Sequence, residues 1–225
     1  MARKMIAALQ VSLDGFTQGS DQGGTEWVAS WADALALVPD VDAFVQGARM
    51  YPGYGLYWEA IYTNPTGMAP YQGRVPNQRE IDYAKRAAKT PHYVVSNTLE
   101  SVSWPPTASI VRKLDELRVL KEQPGKNIYV VGGPTLVTSL LNEHLIDELK
   151  LIVHPLLLGG GRALFAGIAG PRSLKLVDAT PTETGTVVMA YGVRRAPIAS
   201  IHRGDGHGDD RRGDGIAQEQ LGTLA

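Results

Sequence analysis

Cysteine is absent from the 225 residues of this chain. That absence removes disulfide cross-links, thiol nucleophiles and every cysteine-ligated zinc site. An excess of charge of either sign is also missing, because 22 basic and 23 acidic residues leave a net charge of −1. No basic field marks a nucleic-acid surface, and no acidic excess marks a disordered chain. No segment approaches the roughly 20 apolar residues that a membrane-spanning helix requires. Met1-Ala-Arg-Lys ahead of Met5 to Val11 has too short an apolar run, and no cleavage site, to read as a signal peptide. The expectation is a cytoplasmic protein whose partner is a small molecule rather than nucleic acid or membrane. With 44% hydrophobic and 20% charged residues, the composition suits a globular domain with one sizeable core.

Composition shifts near Arg195. Residues 196–225 are rich in Gly, Asp and Arg and hold too little apolar surface to offset chain entropy. The expected organisation is therefore a domain over 1–195 followed by a disordered tail over 196–225. His202, His207, Asp209 and Asp210 have metal-ligand chemistry, but nothing in such a segment fixes their geometry, so no metal site is expected.

Ahead of the tail, strand and helix signals alternate. Met5 to Ser12 reads as a strand ending at Asp14-Gly15, a turn signal. Thr25 can cap a helix from Glu26, with Trp27, Val28, Trp31, Leu35 and Leu37 on its buried side. Ala43 to Gln46 and His92 to Ser96 read as strands. Ile110, Val111, Leu114, Leu117 and Leu120 form a helical stripe that stops before Pro124-Gly125. Leu149 to Val153 is a further strand, and Leu174 to Ala179 with Thr186 to Val193 form a terminal antiparallel pair. The order predicts an α/β fold with a central, mostly parallel sheet, helices on both faces and an antiparallel C-terminal hairpin.

Asn127-Ile-Tyr-Val-Val-Gly-Gly-Pro-Thr-Leu136 is the most informative stretch. Ile128 to Val131 is an apolar, β-branched run, and Gly132 and Gly133 end it without side chains. Pro134 suits a first helical position, after which Leu136, Val137, Leu140 and Leu141 repeat with helical spacing. Such a junction presents unpaired N–H groups, here Gly133, Thr135 and Leu136, with the helix dipole behind them, so it suits an anion. A plain tight turn accounts for the same residues.

Six separated segments together carry a resemblance. Ser12-Leu-Asp-Gly-Phe16, Gly47 to Tyr51, Val94-Val-Ser-Asn-Thr-Leu99, Pro124 to Leu136, Leu145-Ile-Asp-Glu-Leu149 and His154-Pro-Leu-Leu-Leu-Gly-Gly-Gly-Arg-Ala-Leu-Phe165 occur in order. The chain from Lys4 to Val193 resembles the dihydrofolate-reductase-like superfamily, and most closely the reductase domain of the bifunctional riboflavin-biosynthesis deaminase-reductase. The resemblance implies an NADPH-dependent reductase acting on a small heterocyclic or carbonyl substrate, similar to a 5-amino-6-(5-phosphoribosylamino)uracil reductase, and assembled as a homodimer. Deamination is excluded, since a nucleobase deaminase needs a Cys-x-x-Cys pair for its zinc.

Carried over by position, the resemblance places Gly132, Gly133, Thr135 and Leu136 at the cofactor pyrophosphate. Gly47, Ala48 and Arg49 would border the cofactor on its other side, with Ser96 and Asn97 near the adenosine phosphate. Asp14 would face the substrate as the catalytic carboxylate, with Trp27, Gly160, Gly161 and Arg162 completing the substrate side. Two positions depart from the family. Ala48 and Asn97 stand where arginine is usual, so two cationic partners are missing and Arg49 is expected to take over. NADPH remains the expected cofactor; the same fold with another redox cofactor, or a non-catalytic nucleotide-binding protein, are the alternatives that Ala48 and Asn97 leave open. Without the resemblance, Asp14 is an Asp-Gly turn residue, Glu26 a first-turn acid and Asp33 a solvent-face acid. The lack of a buried acid on the first helix speaks against folate as the substrate.

Overall fold

A computed structural model describes residues 3–20 and 24–194. The expectation for 196–225, metal chemistry included, lies outside the described residues.

The eight residues of β1 (Met5–Ser12) show how the sheet is built. Successive side chains point to opposite faces, so Met5, Ala7, Leu9 and Val11 enter one core while Ile6 and Ala8 enter another. Both faces are covered, which is why the segment reads as a nearly continuous apolar run. Full burial of each large aliphatic side chain contributes about 1.5–3 kcal/mol. Next come β2 (Phe16–Gly19), α1 (Asp33–Ala36), β3 (Val41–Gly47), α2 (Tyr51–Thr63) and α3 (Gln78–Ala87). They are followed by β4 (His92–Val95), β5 (Ala108–Val111), α4 (Leu114–Glu122), β6 (Asn127–Gly132) and α5 (Pro134–Asn142). The chain then forms β7 (Glu148–His154), β8 (Gly161–Ala163), β9 (Leu174–Pro181) and β10 (Val187–Val193).

The main sheet has the order β5-β4-β3-β6-β1-β7-β10-β9. The pairs from β5 to β7 are parallel, while β10 is antiparallel to both β7 and β9. This is the predicted mostly parallel sheet with its C-terminal hairpin. Helices α4 and α5 bury Leu117, Leu120, Val137 and Leu140 on one face. Helices α1, α2 and α3 bury Leu35, Tyr57, Trp58, Ile61 and Tyr83 on the other, around Phe44 and Tyr129.

Two expected helices differ from the fold. Between Thr25 and Trp31 the chain turns instead of forming a helix, and only Asp33–Ala36 is helical. Tertiary partners hold this backbone: Gln10 Nε2 donates to the Ser30 carbonyl at 2.7 Å and Arg74 Nη2 to the Ala29 carbonyl at 2.8 Å. The Ser30 hydroxyl in turn donates to Glu80 at 3.2 Å. Ile110 and Val111 belong to β5, paired with Val94 and Val95, so the second helix starts only at Leu114. Helices α2 and α3 were not anticipated. α2 carries Pro52, Gly53 and Gly55 among aromatics, a poor helical signal on propensity. α3 does have a sequence signature, the capping box of Asn77 and Glu80, whose side chains and backbone N–H groups bond reciprocally at 3.0 and 2.9 Å.

Candidate active site

A cleft of about 950 Å³ runs along the C-terminal ends of the parallel strands. Ligands of open α/β sheets bind there because strand ends and helix starts leave backbone groups unpaired.

The centre of the cleft is the junction of β6 and α5. Gly133 is the N-cap of α5, no side chain caps the helix, and Pro134 occupies its first turn. The early N–H groups of the helix thus lack intrahelical partners and face the cleft, which Gly133, Thr135 and Leu136 line. Gly132 has φ +127°, a backbone conformation closed to most side chains, and its peptide bond to Gly133 is cis. Gly133 differs: its φ of −83° and ψ of −178° suit any residue, yet a Cβ there would meet no atom within 4 Å. What glycine keeps at 133 is space in the cleft. A cofactor pyrophosphate fits this cradle, since it needs backbone donors and room beside them.

On the neighbouring strand, Gly47, Ala48 and Arg49 line the cleft and lead into α2, which also has no side-chain cap. Arg49 is exposed and bonds to no other described residue. Beyond it, Ser96 Oγ accepts from the N–H groups of Thr98 and Leu99 at 3.2 and 2.8 Å, shaping the turn that carries Asn97. All nine residues assigned to the cofactor therefore lie along one cleft. Arg112 lines it too and was missed, because it follows a short strand that reads as part of a helix.

One wall of the cleft is aromatic. Trp31, Tyr54, Trp58, Tyr71, Tyr83 and Tyr129 line it. The Tyr54 hydroxyl lies 2.8 Å from His92 Nε2 and 2.5 Å from the Tyr83 hydroxyl. His92 Nδ1 is 2.7 Å from the Thr90 carbonyl and must donate to it. Its Nε2 then accepts from Tyr54, and Tyr54 accepts from Tyr83. Burial pushes His92 down to about 4, against the raising effect of that carbonyl bond. Burial likewise raises Tyr54, Tyr83 and Tyr129, so these rings are neutral walls. Glu80, fully buried behind them, is pushed upward by desolvation. The bonds from Arg74, Asn77 and Tyr57 outweigh this and hold it below its usual value.

The substrate-side residues divide. Arg162 lines the cleft, exposed and without a side-chain partner among the described residues. Asp14, Trp27, Gly160 and Gly161 are not among the lining residues. Asp14 is exposed, and its carboxylate accepts from Ser12 Oγ at 2.6 Å and from the N–H groups of Leu158 and Gly159 at 3.1 and 2.8 Å. The Ser12 hydroxyl above all holds its pKa low; desolvation, next in size, opposes it, and the weaker pull of the Gly159 and Leu158 N–H groups adds to the lowering. Asp14 thus latches the β1–β2 turn to the loop that leads to β8. Trp27 packs edge-on against His154, with ring centroids 4.9 Å apart. Gly161 is glycine for packing, since a Cβ there would lie 2.1 Å from the Gln18 carbonyl oxygen. Tyr57 is buried in the core and Tyr62 is exposed, so neither walls the cleft. Glu26 is exposed and Asp33 pairs with Arg79 at 3.5 Å; neither lines the cleft.

Comparison with known proteins agrees with this architecture. The chain is 28% identical over 195 residues to the uncharacterized Bacillus subtilis protein YyaP, covering 84% of this chain and 94% of that one. A putative riboflavin biosynthesis protein from Shewanella sp. PV-4 superposes with a TM-score of 0.57 at 21% identity, over 87% of this chain and 100% of that one. Dihydrofolate reductase from Enterococcus faecalis, solved with NADP(H) and RAB-propyl, superposes with a TM-score of 0.55 at 13% identity, over 86% and 99% of the two chains. These likenesses establish the dihydrofolate-reductase-like fold. Residues 3–188 match the RibD C-terminal domain, so a cleft built on β6 and α5 belongs here to a member of the RibD C-terminal domain family, a reductase-type domain.

Proposed function

We propose that this protein is an NADPH-dependent reductase that delivers a hydride to a small heterocyclic or carbonyl substrate, in the manner of a 5-amino-6-(5-phosphoribosylamino)uracil reductase. The observation that carries the reading is the open space at Gly133 beside the uncapped start of α5. A bound nicotinamide would supply the hydride, so the protein's work is to bind, orient and exclude water. The N–H groups of Gly133, Thr135 and Leu136 hold the pyrophosphate, and Arg49 adds charge beside them. The aromatic wall takes a flat ring against Trp31 and Trp58, while Arg162 draws an anionic substituent of the substrate. Asp14 acts as a positioning residue, keeping the loop before Arg162 against the turn after β1.

The same proposal includes a cytoplasmic homodimer. β9 is an edge strand, paired among the described residues with β10 alone, on which Leu176 and Val177 are 53% and 66% exposed, a surface that isolated chains rarely leave uncovered.

Thermal-shift and calorimetric titrations with NADPH, NADH and a flavin test the reading, since a ligand that binds only the native state raises the melting temperature. NADPH should give the largest shift and lose absorbance at the nicotinamide band when a competent substrate is added. A larger shift with flavin supports the alternative cofactor that Ala48 and Asn97 leave open. No shift with any of the three refutes a redox role.

A further inference from the structure

The three arginines of the cleft are not equivalent in the sheet. Arg49 follows β3, the immediate neighbour of β6, whereas Arg112 follows β5, with β4 and β3 lying between it and β6. At about 4.8 Å per strand, Arg49 starts ~5 Å from the Gly132–Gly133 junction and Arg112 ~14 Å from it. The substrate end lies the other way, over β1, where Ala8, Gln10 and Trp31 line the cleft and Gln10 Nε2 donates to the Ser30 carbonyl. A dinucleotide with its pyrophosphate on α5 and its reactive ring toward β1 must send its adenosine toward β4 and β5.

Arg112 is built to receive a charge there. Its Nη1 donates to the Ser96 carbonyl at 2.8 Å and its Nη2 to the Leu99 carbonyl at 2.7 Å. Those neutral acceptors fix the fork without cancelling its charge, and they use only part of its donor set. The nearby Glu116 carboxylate is engaged instead by the backbone N–H groups of Arg112 and Lys113, at 3.0 and 2.8 Å. Ser96 accepts two backbone N–H groups through Oγ, which leaves its own O–H to donate. A preorganised guanidinium beside a free hydroxyl suits a phosphomonoester.

We propose that Arg112, with the Ser96 hydroxyl, reads the phosphate that distinguishes NADPH from NADH, and that Arg49 serves the pyrophosphate common to both. The charge missing at Ala48 and Asn97 is thereby supplied from a different strand. This inference rests on the dinucleotide reading above, and its test separates the two.

Calorimetry with NADPH and NADH on the wild type, Arg112→Gln and Arg49→Ala, at low and moderate salt, measures the discrimination. Arg112→Gln should weaken NADPH about tenfold or more and leave NADH within about twofold, with a gap that narrows as salt rises, because one charge-assisted contact is lost. Arg49→Ala should weaken both dinucleotides alike. Because Arg112→Gln also removes two bonds to the 96–99 turn, Asn97→Asp provides an independent route, setting a carboxylate beside Arg112 while leaving those bonds in place. It too should weaken NADPH selectively. Equal losses for both dinucleotides in Arg112→Gln and Asn97→Asp, or no loss in either, overturn the assignment while the dinucleotide reading stands. A wild type that binds neither dinucleotide overturns both.

Discussion

Replacing Gly133 with valine tests whether open space at the start of α5 is a ligand's place. The folded state should tolerate the change. The φ and ψ of −83° and −178° are an extended conformation that valine favours, and no atom lies within 4 Å of the added Cβ. Loss of glycine's freedom in the unfolded chain works in the same direction, by about 0.4–1 kcal/mol. At roughly 2–4 °C per kcal/mol for a domain of this size, the melting temperature should stay level or rise by a few degrees. Binding should respond very differently. The isopropyl group enters the space beside the N–H groups of Gly133, Thr135 and Leu136, and two displaced charge-assisted hydrogen bonds amount to about 3–6 kcal/mol. At tenfold per 1.4 kcal/mol, NADPH affinity should fall by a factor of about 100 or more. Calorimetry gives the affinity and differential scanning fluorimetry the stability. Unchanged affinity in a folded Gly133→Val protein would refute the cradle, and a collapse in melting temperature would show that Gly133 is a packing residue. Gly132→Val provides the contrast, because at φ +127° it should destabilise the fold even without ligand.

Asp14→Asn should keep cofactor affinity, while the less firmly held loop before Arg162 lowers turnover of an identified substrate about tenfold; normal turnover would reduce Asp14 to a turn residue. The folded pKa of Asp14 lies below its usual 3.8, so its stabilisation is present above that value and lost as pH falls through the folded pKa. The melting-temperature gap between wild type and Asp14→Ala should therefore close in acid, and a gap constant down to pH 2 would contradict the latch. His92 is held at about 4 against 6.5 in the unfolded chain, so unfolding takes up a proton between those values. Urea stability should fall with decreasing pH across that window by at most ~3 kcal/mol, and His92→Gln should flatten the slope; an identical slope in the variant would exclude His92 as its source. If β9 forms the dimer interface, Leu176→Lys should move the chain to monomer mass in light scattering, and an unaltered mass would place the interface elsewhere.

Much of the sheet was readable because its cause is local. Met5 to Ser12 alternates between two buried faces and appears as an apolar run wherever the strand sits, and β6 with Gly132, Gly133 and Pro134 carries its turn and helix start in adjacent residues. Local signals failed where distant groups claim the backbone. Thr25 and Glu26 open a sound helical pattern, but Gln10, Arg74 and Glu80 bind Ala29 and Ser30 and hold that segment in turns. Ile110 and Val111 fit a helical stripe until β4 pairs with them.

The site divides in the same way. Glycine at 132 and 133 followed by proline at 134 marks a strand end and a helix start in adjacent residues, which the sequence alone makes legible. That Arg112 shares a cleft with Arg49, or that Asp14 turns to Leu158 and Gly159 instead of lining it, depends on the strand order β5-β4-β3-β6-β1 and on loops closing over it. Side-chain periodicity and turn chemistry act over a few residues, so they are written along the chain. Which strand lies beside which is decided by burying two faces of one sheet at once, and only the assembled tertiary structure holds that information.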